Sequence, residues 1–257
     1  MTPTDLVLVD RTDATATITL NRPDARNALS RELDRQLRDR IIEADDDPEI
    51  SVILLAGAGG AFCAGVDLKE LAATGFTGDD RTENCIDRVA ACTTPVIGLV
   101  DGPAVTGGFE LALACDFLIA SPTARFADTH SRVGIVPGGG LTARLADTVG
   151  IRRARQLSAT GQYIDAPTAL AWGLVNEVVE SAELLTRGIQ IATTFAAAES
   201  RTLRAVWSLY DGMSADAIAD GVARERATNA QWSAAMEAVA EAGAAVIEHG
   251  RAQNRER

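Results

Sequence analysis

Two glycine-rich junctions constrain this chain more than any other feature: GAGGAFCAGVDLKEL from Gly57 and DGPAVTGGFELALACD from Asp101. In each, an apolar run rich in β-branched residues (Ile50–Ala56, Pro95–Val100) ends in glycines and leads into a helical pattern, through Gly65-Val66 or Gly107-Gly108. The first N–H groups of a helix lack intrahelical acceptors and carry the positive end of its dipole. Glycine lets another group come close to that backbone. Two such donors converging on one carbonyl oxygen would form an oxyanion hole, whose loss raises a barrier by ~3–4 kcal/mol in measured hydrolases. Glu110 follows Gly107 by three residues on the same helical face, and helical side chains lean toward the N-terminus. Its carboxylate can therefore sit beside a carbonyl polarised at Gly107 and act as a base on water or on an acidified C–H. The alternative is structural: a glutamate in a first helical turn is favoured by the dipole alone.

The rest of the chain alternates strand and helix patterns. Ala16–Asn21 alternates as a strand, and Ser30 can cap a helix to about Ala44. Short helices are expected over Asp67–Ala73 and about Arg81–Ala91, a loop over Gly102–Gly107, and a helix over Gly108–Ala114. Strands follow at Phe117–Ala120 and around Phe126. Gly138–Gly140 opens a helix to about Thr148, Arg152–Ser158 makes the next, and Val175–Val179 is a last strand. From Glu183 onward the pattern is helical, interrupted at Gly212 and around Asn229–Ser233. Strand–helix alternation followed by helices indicates an α/β core, residues 1–195, with a helical C-terminal region, residues 196–257.

Composition narrows the function classes. At 257 residues, with 47% hydrophobic and 23% charged residues, the chain can bury a large core without staples. The opening MTPTDLVLVDRTDA lacks a basic start followed by an apolar stretch, so no secretory signal is expected. The longest uncharged run, Ile50–Val66, is broken by glycines, and no membrane span is expected. A cytoplasmic protein is the expectation. Cys63, Cys85, Cys92 and Cys115 then read as reduced thiols, and without CxxC or HxxxH spacing no metal site is expected. The net charge of −12 argues against a nucleic-acid partner. An anionic ligand would need a local basic patch, and Lys69, the single lysine of the chain, suggests one. A P-loop fails because Val66-Asp67 stands where Lys and Ser/Thr are required, and GxGxxG and GxSxG are absent.

Five colinear segments resemble the enoyl-CoA hydratase/isomerase (crotonase) superfamily: LNRPDARNAL (Leu20–Leu29), GAFCAGVDLKEL (Gly60–Leu71), GPAVTGGFELALACD (Gly102–Asp116), RFADTHSRVGIVPGGG (Arg125–Gly140) and TGQYIDAPTALAWGLVNEVV (Thr160–Val179). The resemblance implies an α/β crotonase (ClpP-like) spiral of ββα units with a helical C-terminal trimerisation region that also helps close the active site. It implies a 2-enoyl-CoA hydratase, with coenzyme A as part of the substrate and no separate cofactor. Val66 and Gly107 would be the oxyanion donors and Glu110 the first catalytic glutamate. Arg26, Ala28, Ala64, Asp67, Leu68 and Lys69 would meet coenzyme A, with Arg26 and Lys69 candidates for its phosphates. Pro137 and Gly138 would line the acyl pocket. Leu203, Val206, Trp207, Tyr210, Met213, Trp232 and Met236 would pack in a homotrimer or a hexamer of two trimers.

One departure matters. The hydratases carry a second glutamate where this chain, counted from Phe126, has His130. An imidazole can also accept or donate a proton near neutrality, so hydration survives in principle with Glu110 and His130 as the pair. Ionised Glu110 should raise the imidazole's pKa and burial should lower it. Other readings are double-bond isomerisation, thioester hydrolysis, and a crotonase-fold binding protein without catalysis.

Overall fold

The protein is described here by a computed structural model covering residues 5–74, 84–198 and 200–232, with isolated positions beyond them. A hairpin opens the chain: β1 (Val7–Thr12) and β2 (Thr15–Leu20) turn at Asp13, whose φ is 50°. Helix α1 (Arg31–Asp45) follows, its N-terminus capped by Ser30, which accepts from the Leu33 N–H at 3.2 Å. Its buried residues Leu33, Leu37, Ile41 and Ala44 share one face. Next come β3 (Val52–Gly57), α2 (Leu68–Thr74), α3 (Cys85–Ala90), β4 (Val96–Val100), β5 (Pro103–Val105) and α4 (Gly107–Ala114). Then follow β6 (Phe117–Ala120), β7 (Arg125–Ala127), α5 (His130–Val133), α6 (Leu141–Val149) and α7 (Ile151–Thr160). The chain closes with β8 (Ile164–Asp165), α8 (Ala166–Ala171), β9 (Glu177–Val178), α9 (Leu184–Ala196) and α10 (Ser200–Gln231).

The larger sheet has the order β1-β2-β3-β4-β6-β9 and is parallel except for β1. It is covered on both faces. Ile53 and Leu55 of β3 join the core shared with α1, while Val52 and Leu54 join Ile97, Leu99, Ile119 and Ala192 on the other side. That two-sided burial explains why β3 reads as a continuous apolar run. The smaller sheet has the order β5-β7-β8. In β4-β5-α4, and again in β6-β7-α5, one strand joins the large sheet, a short one joins the small sheet, and a helix follows. The stretch from β3 to α2 repeats this pattern with a single bridge, Cys63 to Ala104. These units form the spiral of ββα units that the resemblance implies.

That bridge positions the site. The Cys63 N–H donates to Pro103 O and the Val105 N–H to Cys63 O, each at 3.0 Å. Counting three residues on from the Cys63–Ala104 pair brings Val66 beside Gly107. The strands approach so closely that a Cβ on Gly108 would lie 2.0 Å from Cys63 O, which no side-chain shift can relieve. Gly108→Ala is expected to destabilise the fold by about 3 kcal/mol, the upper end of overpacking penalties. Urea unfolding measures it, and a variant as stable as the parent would contradict this account of the register.

Several sequence expectations need correction. Gly102–Gly107 is not a loop throughout: it contains β5, because Pro103 can start a strand and Ala104 finds partners on two sides. Gly212 does not interrupt α10, since one glycine in a helix interior costs only about 1 kcal/mol and 32 residues of helix absorb it. The sequence reading also passed over β1, α5, β8 and α8. The expected start of α3 near Arg81, the residue Met236 and the side chain of Met213 lie outside the described residues. Among the described residues no strand follows Val178, and no helix is long and apolar enough to cross a membrane. Helix α10 packs on α6.

Candidate active site

Helix α4 is buried from Gly107 to Ala112, and Glu110 is its one ionisable side chain. The residue before the helix, Thr106, holds φ 54° and ψ −115°, a conformation that glycine favours. Its hydroxyl pairs with that of Thr129 at 2.6 Å, tying the start of α4 to the turn that precedes His130. Glu110 Oε1 accepts from the Gly139 N–H at 2.8 Å, and the Leu141 N–H also supports the carboxylate. Burial raises the Glu110 pKa above the ordinary carboxylate value. The charge of His130 opposes that rise and the charge of Glu225 adds to it.

Oε2 of Glu110 faces His130 Nε2 at 3.7 Å. His130 opens α5 and is 6% exposed. Its other ring nitrogen, Nδ1, lies 2.8 Å from Asp128 Oδ1, which also accepts the His130 backbone N–H at 3.1 Å. The sequence left open whether burial or charge governs this imidazole, and the surroundings answer it. Burial lowers the pKa, but Asp128, Glu110 and Glu225 together raise it above the usual histidine value. Burial likewise works against ionisation of Asp128, and His130 outweighs it, leaving that carboxyl below its usual range.

Sequence reasoning missed Asp128 and Glu225. The first had a signal, an acid two residues before the histidine. The second had none, because it reaches the site from α10. There the buried Glu225 carboxylate accepts from the Gly140 N–H at 2.6 Å and the Thr142 N–H at 2.8 Å, capping α6 and fixing the segment that holds Glu110. Arg144 Nη1 donates to Gly139 O at 2.6 Å, within the same segment.

Glu110 and His130 sit in the wall of a groove of about 1950 Å³. Val66 and Thr106 line it, and Gly107, the next residue after Thr106, is buried. A Cβ on Gly107 would be 3.4 Å from Val66 N, and one on Gly65 would be 3.2 Å from Gly107 N, so the two N–H groups are neighbours. No acceptor among the described residues takes either one. Farther along, the groove is lined by Arg26, Ala28, Ala64, Asp67, Leu68 and Lys69. Arg26 and Lys69 make no ion pair among the described residues. Asp67 is committed locally: its side chain accepts from the Lys69 N–H at 3.0 Å and pairs with Arg22 at 2.7 Å, and its backbone N–H donates to Leu29 O at 3.0 Å. Gly138 also lines the wall, with Val136 and Gly139 on either side of the Pro137–Gly138 step.

A fold of this kind, with two unpartnered N–H groups and a buried Glu110–His130 contact, has clear relatives. The family model for enoyl-CoA hydratase/isomerase matches residues 10–252. A "Probable enoyl-CoA hydratase" of Mycobacterium bovis is 37% identical over 226 residues, covering 86% of this chain and 87% of that protein. A peroxisomal one of Arabidopsis thaliana is 39% identical over 204 residues, covering 78% and 77%. The crystal structure of enoyl-CoA hydratase from Mycobacterium tuberculosis H37Rv superposes with a TM-score of 0.81 at 43% identity, covering 89% of this chain and 99% of that one. The chain belongs to the enoyl-CoA hydratase/isomerase family.

Proposed function

We propose that this protein adds water across the 2,3 double bond of a 2-enoyl-CoA thioester. The carrying observation is that Glu110 and His130 face each other at 3.7 Å in the groove wall, next to the Val66 and Gly107 N–H groups. Those donors receive the thioester oxygen and stabilise the charge that builds on it as the enolate forms. The Glu110 carboxylate, a stronger base than an ordinary one, takes a proton from water as the water oxygen bonds to Cβ. The imidazolium of His130 gives its Nε2 proton to Cα. Glu110 then returns its proton to Nε2, and the sum is one water added.

Arg26 and Lys69 are placed to meet the phosphates of coenzyme A, with the backbone around Ala28, Ala64, Asp67 and Leu68 along the adenine and pantetheine and Gly138 beside the acyl chain. Coenzyme A enters as substrate, and no separate cofactor takes part in these steps. The cytoplasmic location expected from the sequence belongs to the same proposal. So does a homotrimer or a dimer of trimers, supported by exposed Val206, Leu209, Tyr210 and Trp232. Trp207 instead packs edge-on against Phe195 within the chain.

The test is the pH profile of crotonyl-CoA hydration, followed by loss of enoyl-thioester absorbance. The active form needs Glu110 ionised and His130 protonated. A bell is therefore expected, with its acid limb above the ordinary carboxylate range and its alkaline limb above the usual histidine pKa. No hydration of short, medium or long enoyl-CoA would overturn the activity, and a rate still rising through strongly alkaline pH would overturn the role of His130.

A further inference from the structure

We propose that Asp128 is a positioning residue for the reaction: it holds the His130 ring with Nδ1 protonated and Nε2 turned toward Glu110 and the acyl carbons, so that the imidazole serves as the acid of the pair. The effect on rate rests on the hydratase reading above; the effect on the ring does not. An ionised carboxylate can only accept hydrogen bonds, so the 2.8 Å contact requires a proton on Nδ1. The second contact, from the His130 backbone N–H to the same Oδ1 at 3.1 Å, makes Asp128 and His130 one rigid turn. Asp128 is 1% exposed, so water does not compete for the carboxylate.

The other groups that face this ring do not replace Asp128. Glu110 of α4 is the proton's partner across Nε2, and Glu225 of α10 acts on the ring by charge alone, its oxygens being taken by Gly140 and Thr142. Arg144 of α6 is set against Glu110 and Glu225, and α7 brings Ser158 to Asp128. Without Asp128, burial would push the imidazole toward its neutral form, and Glu110, facing Nε2, would favour a proton there rather than on Nδ1. On this account the chain puts a histidine and its own aspartate to work beside a single glutamate.

The chain has two histidines, so imidazole 15N spectra of the whole protein are simple, and His130→Ala assigns the signal. In the parent, the neutral ring of His130 should carry its proton on Nδ1. In Asp128→Asn its pKa should fall by about 1–3 units, the usual effect of losing an adjacent opposite charge. The alkaline limb of the rate profile should move down by the same amount, with KM for crotonyl-CoA little changed and kcat recovering at lower pH. Asp128→Glu should restore part of both. A loss of kcat that is uniform with pH, or an unmoved His130 pKa in Asp128→Asn, would overturn the proposal. If that variant does not fold, a neutral Nε2–H tautomer in the parent would still overturn it. If the spectra agree and no enoyl-CoA is hydrated, the hydratase reading fails and the positioning role stands.

Discussion

Replacing Glu110 with glutamine is expected to slow hydration of crotonyl-CoA by ~100-fold or more, the scale on which general acid–base catalysis contributes. The amide matches the carboxylate in shape and keeps an oxygen for the Gly139 N–H, which now donates to Oε1 at 2.8 Å. The variant should therefore fold like the parent. Burying a neutral amide in place of a carboxylate also removes a desolvation penalty, so stability should not fall. Affinity for coenzyme A, read by calorimetry, should be unchanged, because Arg26, Lys69 and the backbone at Ala64 lie farther along the groove. A lower kcat at constant affinity is the signature of an interaction made only in the transition state. Near-normal turnover would remove Glu110 from the mechanism.

His130→Ala carries the second large effect. It deletes the proposed proton donor, leaves Asp128 a buried carboxylate without its partner, and opens a void beside Glu110. Hydration should again fall by about 100-fold, the lower range for a positioned acid. The alkaline limb of the pH profile should vanish with it. Hydration as fast as the parent's would make His130 pocket lining and leave Glu110 working alone. The sequence suggests that His130→Glu should keep or improve hydration of a short enoyl-CoA by restoring the family's pair of glutamates. The structure changes that expectation. A glutamate there would meet Asp128, Glu110 and Glu225, and clustered carboxylates hold their protons. Full recovery should therefore need Asp128→Asn in addition.

How much of this was legible in the residues follows from where each signal sits along the chain. The proposed oxyanion donors, Val66 and Gly107, stand out because both lie in local strand–glycine–helix patterns, and a single bridge from Cys63 to Ala104 brings two such patterns into register. Glu110 was visible for the same reason, by its spacing from Gly107. The helix from Ser30 was legible from one capping residue and four buried positions on one face. The second half of the site was not. Gly139 and Glu225 stand 29 and 85 residues from their hydrogen-bond partners Glu110 and Gly140, and no local pattern encodes such separations. The direction of the His130 pKa depended on three carboxylates, two of which reach it from other elements. Edge strand β1 escaped notice because all but Val7 of its residues face outward, so it lacks the alternation that marks a half-buried strand.

The central claim is that Glu110 and His130 move water's proton and hydroxyl onto an enoyl thioester, and the most direct measurement uses heavy water. The parent enzyme is incubated with crotonyl-CoA in D2O and the product is read by NMR and mass spectrometry. The account predicts 3-hydroxybutyryl-CoA carrying a single deuterium on Cα and an intact thioester. A migrated double bond would indicate isomerisation, and release of free coenzyme A would indicate thioester hydrolysis; either result would contradict it.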